Sequence, residues 1–126
     1  MPKSIPDVPS APSPAGPYSP ATEANGFVFL SGQVGVDPAD GSSAGEDVSA
    51  QTRQTMRNIG AMLADLDLGY DDIVKTTIFL ADIADFPVVN EVYAQYVGSA
   101  KPARSTVQVA GLPGGHRVEI EVIAAR

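Results

Sequence analysis

The chain has 126 residues, 44% of them apolar and 18% charged, with 15 acidic against 8 basic side chains and a net charge of −7. That is enough for one domain with a real core and too little for two, and the negative charge opposes binding to a phosphate backbone. With no cysteine and a single histidine, His116, disulfides, thiol catalysis, zinc–thiolate sites and imidazole metal clusters are excluded. No signal-peptide core and no apolar run of membrane-spanning length is visible, so the expectation is a cytoplasmic protein without a membrane partner.

Residues 1–15 carry prolines at positions 2, 6, 9, 12 and 14. That density favours polyproline conformations, and the expectation is a flexible or surface-draped arm rather than a docking motif. Residues 16–126 then form the domain. Gly16-Pro17-Tyr18-Ser19-Pro20 reads as a turn into a short edge strand, since paired prolines do not fit a central one. Ala24-Asn25-Gly26 is a hairpin signal. Phe27–Gln33 reads as a buried strand, and Asp37-Pro38 and Asp40-Gly41 mark the loop after it.

Ser43-Ala-Gly-Glu46 fits a capping box for a long helix. Val48, Thr52, Met56, Ile59, Met62 or Leu63, and Leu66 form its apolar stripe, and Gly69 is the expected C-cap. Ile73–Leu80, β-branched on both faces, reads as an interior strand. A second helix starts near Asp82 or Asp85, takes Pro87 in its first turn, packs through Phe86, Val89, Val92, Tyr93, Tyr96 and Val97, and closes at Gly98. Strands over Arg104–Ala110 and Arg117–Ala125 finish the chain.

The fold class is therefore α+β: a single mixed sheet with two helices on one face. On the last strand Val118, Ile120 and Val122 oppose Glu119, Glu121 and Ile123. If both helices cover one face, a second subunit is the natural cover for the other.

Few residues carry chemistry. Arg104 stands directly after Pro102-Ala103, at the head of a strand with Thr106 on its face. A guanidinium there is a planar fork suited to a carboxylate; a surface ion pair is the plainer alternative. Glu119 and Glu121 share a strand face, where a carboxylate beside an apolar sheet has a raised pKa and can exchange protons near neutrality. Tyr18 offers a ring or a hydroxyl in a rigid segment. Ser31 precedes Gly32, which lets a ligand approach the backbone. Asn90 is a polar group on the apolar line of the second helix. A hydrolase triad is opposed by the lone histidine, and neither a P-loop nor a GxGxxG motif occurs.

Several segments in this order and spacing make a pattern: Gly16-Pro17-Tyr18-Ser19, Ser31-Gly32-Gln33-Val34, Gln51 to Ile59, Val89 to Tyr93, and Pro102 to Val107 with Val118-Glu119-Ile120-Glu121. From about Ala15 onward the chain resembles the Rid family, the reactive intermediate deaminases, also called YjgF-type proteins. The resemblance implies a chorismate-mutase-like fold and a homotrimer with ligand clefts between subunits. It also implies hydrolysis of enamine/imine intermediates such as 2-aminoacrylate to 2-oxo acids and ammonia, without metal or organic cofactor. By position, Arg104 matches the carboxylate-binding arginine and Glu119 the glutamate that handles water. Tyr18, Ser31, Gly32, Asn90 and Thr106 match the remaining substrate-binding positions, Thr106 through its backbone where many relatives have cysteine.

That chemistry suits the residues present. A protonated imine is already electrophilic, so a protein need only orient it and direct water, and no strong nucleophile is required. The chain departs from the pattern at Gly35, at Lys101 and at Gly114-Gly115-His116, all of which bear on cleft shape and substrate breadth. A non-catalytic small-ligand sensor on the same scaffold is the alternative. An RNA-cleaving role is opposed by the net charge of −7 and the lack of a basic patch.

Overall fold

The computed structural model describes residues 2–126. Its strands are β1 (Ala21–Ala24), β2 (Phe27–Gln33), β3 (Ile73–Leu80), β4 (Ala103–Gln108) and β5 (Val118–Ala125), and its helices are α1 (Val48–Asp65) and α2 (Phe86–Val97). The strands form one mixed sheet in the order β1-β2-β5-β3-β4, with β3 and β4 parallel and the other pairs antiparallel. The β1–β2 hairpin turns at Asn25 (φ 52°) and Gly26 (φ 81°), both left-handed as a two-residue type I′ loop requires.

Both helices cover the same sheet face. Val118, Ile120, Val122 and Ala124 of β5 are buried against them together with Met56, Ile59, Met62 and Leu63 of α1. The alternate β5 residues Glu119, Glu121 and Ile123 lie on the open face, where the register sets Phe79, Thr77 and Lys75 of β3 beside them. Phe27 and Phe29 of β2 are on that face too, 44% and 42% exposed, so β2 is buried on one side only. The open face is thus apolar at one end and acidic in the middle.

Two helix boundaries differ from the sequence expectation. The N-cap of α1 is Asp47, whose carboxylate accepts from Ser49 N at 3.3 Å, rather than a capping box at Ser43. Ser43 is taken up by a bridge to Val36, and Ala44 N donates to Gly35 O, so the chain there is still running beside the segment after β2. At the other end α1 stops at Asp65, and Asp67 adopts the left-handed conformation (φ 60°) that Gly69 was expected to supply. Leu68 N then donates to Leu63 O, which turns Leu68 onto the core. Gly69 instead opens a short 3₁₀ turn at Tyr70–Asp72.

The polar residues on the buried side of α1 are structural. Thr52 and Thr55 donate to carbonyls one turn back, and Asn58 Nδ2 donates to Val36 O at 2.8 Å. Gln51 bridges Gly45 O and Arg117 N, tying the start of α1 to the start of β5. Gly35 crosses Gln51 so closely that a Cβ would sit 2.7 Å from its backbone.

Residues 2–15 lie along the domain. Ser4 and Glu23 exchange backbone hydrogen bonds at 2.9 Å beside β1, and Val8 enters the core at 7% exposure. Ser10 donates from its amide and its hydroxyl to the Asp65 carboxylate at 2.8 and 2.9 Å.

Candidate active site

Arg104 is on edge strand β4, on the helix-covered face, paired in register with buried Thr76. Its guanidinium carbon lies 5.3 Å from the Phe86 ring centroid and 5.2 Å from that of Tyr93, within cation–π range. One amino group donates to Asn90 Oδ1 at 2.7 Å. Tyr93 is fixed in turn by the 2.8 Å hydrogen bond between its hydroxyl and that of Thr76. The salt bridges among the described residues are Arg117–Asp85 and Arg126–Glu23, so Arg104 has no carboxylate partner in an acidic chain. A hollow of about 240 Å³ opens beside it, lined by Asn90, Tyr93, Lys101 and Arg104 among others and by no acidic side chain. The arginine is oriented by aromatic faces and one neutral acceptor, with the rest of its fork free for an anion.

Glu119 is on the opposite face of the sheet, on β5. Burial and then the charge of Glu121 hold its carboxyl above the usual carboxylate range. Gly32 makes room for it: a Cβ at position 32 would collide with the Glu119 carboxylate. Gly32 sits in the irregular stretch of β2 between Leu30 and Gln33, where the register with β5 shifts. Tyr18, Gly32, His116 and Glu119 line a second hollow of about 590 Å³. Ser31 is beside it, its amide donating to Pro20 O at 2.9 Å and its hydroxyl to Ser19 O at 2.7 Å, which pins the segment carrying Tyr18 against β2.

The expected site residues thus fall into two groups. Tyr18, Ser31, Gly32 and Glu119 gather on one side, and Asn90 and Arg104 on the other. Thr106 shares the face of Arg104, and its Oγ1 is the buried side-chain polar atom without a partner among the described residues. One copy of the chain does not bring the arginine and the glutamate to a common ligand. The aromatic support from Phe86 and Tyr93 was legible only as core packing in the sequence, and the place of His116 and Asp40 in the larger hollow had no sequence signal beyond residue type. Among the described residues no cluster of His, Cys, Asp or Glu could hold a metal ion, and no helix is long and apolar enough to cross a membrane.

The family model described as Endoribonuclease L-PSP matches residues 8–126. The chain belongs to that family, the Rid or YjgF-type proteins. The match begins ahead of Ala15, inside the proline-rich segment, which accords with the packing of Val8 and Ser10. Reactive Intermediate Deaminase A of Arabidopsis thaliana, a chloroplastic protein, is 48% identical over 97% of this chain and 65% of its own length, so the chain spans just under two thirds of that relative. The human 2-iminobutanoate/2-iminopropanoate deaminase is 44% identical over 90% of this chain and 83% of its own. A Rid-family protein of Yersinia pestis superposes with a TM-score of 0.93 at 46% identity, covering 98% of this chain and 99% of the other. The mixed sheet with two helices is therefore the family's architecture.

Proposed function

We propose that this Rid-family chain hydrolyses 2-imino acids to 2-oxo acids and ammonia, in a cleft completed by two copies of the chain. The observation that carries the reading is the pair of half-sites: a carboxylate-free arginine set on aromatic rings, and a glutamate with raised proton affinity, each at its own hollow on opposite faces of one sheet. The Arg104 fork binds the substrate carboxylate, and Asn90 keeps the fork aimed. Glu119 takes a proton from water as it attacks the imine carbon and returns one to the departing amine. Tyr18 and the Gly32 backbone flank the reacting carbon. Proximity and a preset proton acceptor are sufficient, because the imine supplies its own electrophile.

The exposed apolar end of the open sheet face, with Phe27 and Phe29, gives a second copy a surface to cover, and a homotrimer is the proposed assembly. The names of the Arabidopsis and human relatives support the reaction class. The endoribonuclease wording of the family description is less well matched: the net charge is −7, and the cations of the smaller hollow are Lys101 and Arg104 alone. The test is ammonia release from an imino acid generated in situ by an amino-acid oxidase. The expected result is acceleration that is lost in Arg104→Ala and Glu119→Gln. Tight 2-oxo acid binding with no acceleration would make the chain a ligand sensor instead.

A further inference from the structure

Arg117 is the residue before β5, two positions ahead of Glu119, and its side chain lines neither hollow. It grips Asp85 side-on, Nη2 donating to Asp85 Oδ1 at 2.7 Å and Nε to Oδ2 at 3.2 Å. Nη1 donates to Glu46 O at 3.2 Å. The backbone of Arg117 is held as well: its amide donates to Gln51 Oε1 at 2.8 Å, and its carbonyl accepts from Ala81 N at 3.1 Å. Arg117 is thus tied to the start of α1 and to the residue after β3, and it presents its fork as an anchor. Isolated surface ion pairs add little stability. This one is bidentate, and the Asp85 side chain is only 13% exposed.

The anchor holds the first turn of α2. Asp85 stands at the N-cap of α2, yet its carboxylate accepts nothing from the helix. Its backbone there is already helical (φ −78°, ψ −8°), continuing the 3₁₀ turn Ile83–Asp85, whereas a capping side chain needs the extended geometry found at Asp47. The 3₁₀ turn has its own cap in Asp82, which accepts from Ala84 N at 2.9 Å. The Asp85 carboxylate is left to Arg117. Phe86 follows directly, its ring centroid 5.3 Å from the Arg104 guanidinium carbon, and Asn90, one turn further on, accepts from the same guanidinium at 2.7 Å. A line of contacts therefore runs from the foot of β5 through Asp85 and Phe86 to the fork of Arg104.

We propose that the Asp85–Arg117 pair is a positioning device for substrate binding: it sets the first turn of α2 so that Phe86 and Asn90 hold the Arg104 fork at the angle a carboxylate requires. This role deepens the deaminase reading and rests on it. Neither residue touches substrate. A guanidinium holds a carboxylate through two parallel N–H bonds, so its orientation counts as much as its charge. A small shift of the supporting turn loses one of those bonds. The effect falls on binding rather than on the chemical step. Glu119 is on the other sheet face, and Gln51 and Ala81 hold the Arg117 backbone whether or not its side chain is engaged.

The test uses the full chain and two readouts: kcat and KM for the imino acid made in situ from alanine, and the Kd of 2-oxobutanoate as an unreactive carboxylate probe. Asp85→Ala and Arg117→Ala should each raise KM and Kd about tenfold, the low end for one charged hydrogen bond, with kcat unchanged. The double variant should be no worse than either single one, because both cut the same link. Arg117→Lys should recover part of the loss. Glu23→Ala breaks the other ion pair, at the opposite edge of the sheet, and should leave KM and Kd unchanged. Should Asp85→Ala fail to fold, Asp85→Asn, which removes the charge and keeps the shape, carries the same comparison. Lower melting temperatures with KM and Kd unchanged, a loss confined to kcat, additive losses in the double variant, or an equal loss in Glu23→Ala would overturn the proposal. No acceleration by the wild type would instead overturn the deaminase reading, and the Kd comparison would still decide what the pair does. A wild type that binds no 2-oxobutanoate would overturn both.

Discussion

Mixing two inactive variants tests the composite cleft directly. Arg104 is on edge strand β4 and Glu119 on β5, with β3 between them and the two side chains on opposite faces. Neighbouring strands are about 4.8 Å apart, so two strand spacings and the thickness of the sheet separate them within one chain. Arg104→Ala should lose roughly 1.5–3 kcal/mol per charged hydrogen bond removed, or about 10–150-fold each. Glu119→Gln should lose roughly 10²–10⁴-fold as general acid/base. If each cleft takes its glutamate from one copy and its arginine from the next, co-expressing the two variants equally leaves about a quarter of the clefts intact, whatever the number of copies in the ring. The assay is steady-state ammonia release from the mixed assembly, with exchange verified by two affinity tags. A mixture as inactive as its parents, with exchange proven, would refute the composite site, as would Arg104→Ala retaining full activity.

Glu121→Gln removes the like charge that adds to burial in raising the Glu119 pKa, so the acidic limb of the kcat/KM profile should move to lower pH while staying above the usual carboxylate range. Because the folded-state pKa of Glu119 is raised, its ionisation opposes folding as pH rises from the unfolded toward the folded value. Thermal melts of Glu119→Gln at neutral pH should therefore show stability undiminished while activity is lost. Gly32→Ala puts a methyl into the Glu119 carboxylate, and turnover should fall with the far-ultraviolet spectrum unchanged. Gly35→Ala meets Gln51 backbone at 2.7 Å, where nothing flexible can give way, and denaturant melts should show a loss of about 1–3 kcal/mol. Native-like stability in Gly35→Ala would mean that the chain crosses α1 at Gln51 loosely enough to admit a methyl group.

Much of the fold was legible as periodicity. The stripe from Val48 to Leu66 and the alternation on β5 specify which surfaces are buried, because burial repays only one face of a helix or strand. Asn25-Gly26 specified the hairpin because left-handed backbone favours those residue types. The helix ends were less legible. Ser43 has the chemistry of a cap, but its bridge to Val36 is a contact between segments that no local motif encodes.

The amino-acid order by itself determined the element types and the apolar faces and ruled out a thiol or a histidine pair, but it left Glu119 and Glu121 equivalent on their strand face, and Arg104 and Glu119 were singled out only through the resemblance to the Rid family. Only the tertiary structure decided that these two groups lie on opposite faces of the sheet, that rings and Asn90 hold the arginine, and that the proline-rich start is packed at Val8 and Ser10. The physical reason is range. Periodicity and turn chemistry act over a few neighbouring residues, whereas a ring beneath a guanidinium or a serine on an aspartate 55 residues away depends on how the whole chain closes.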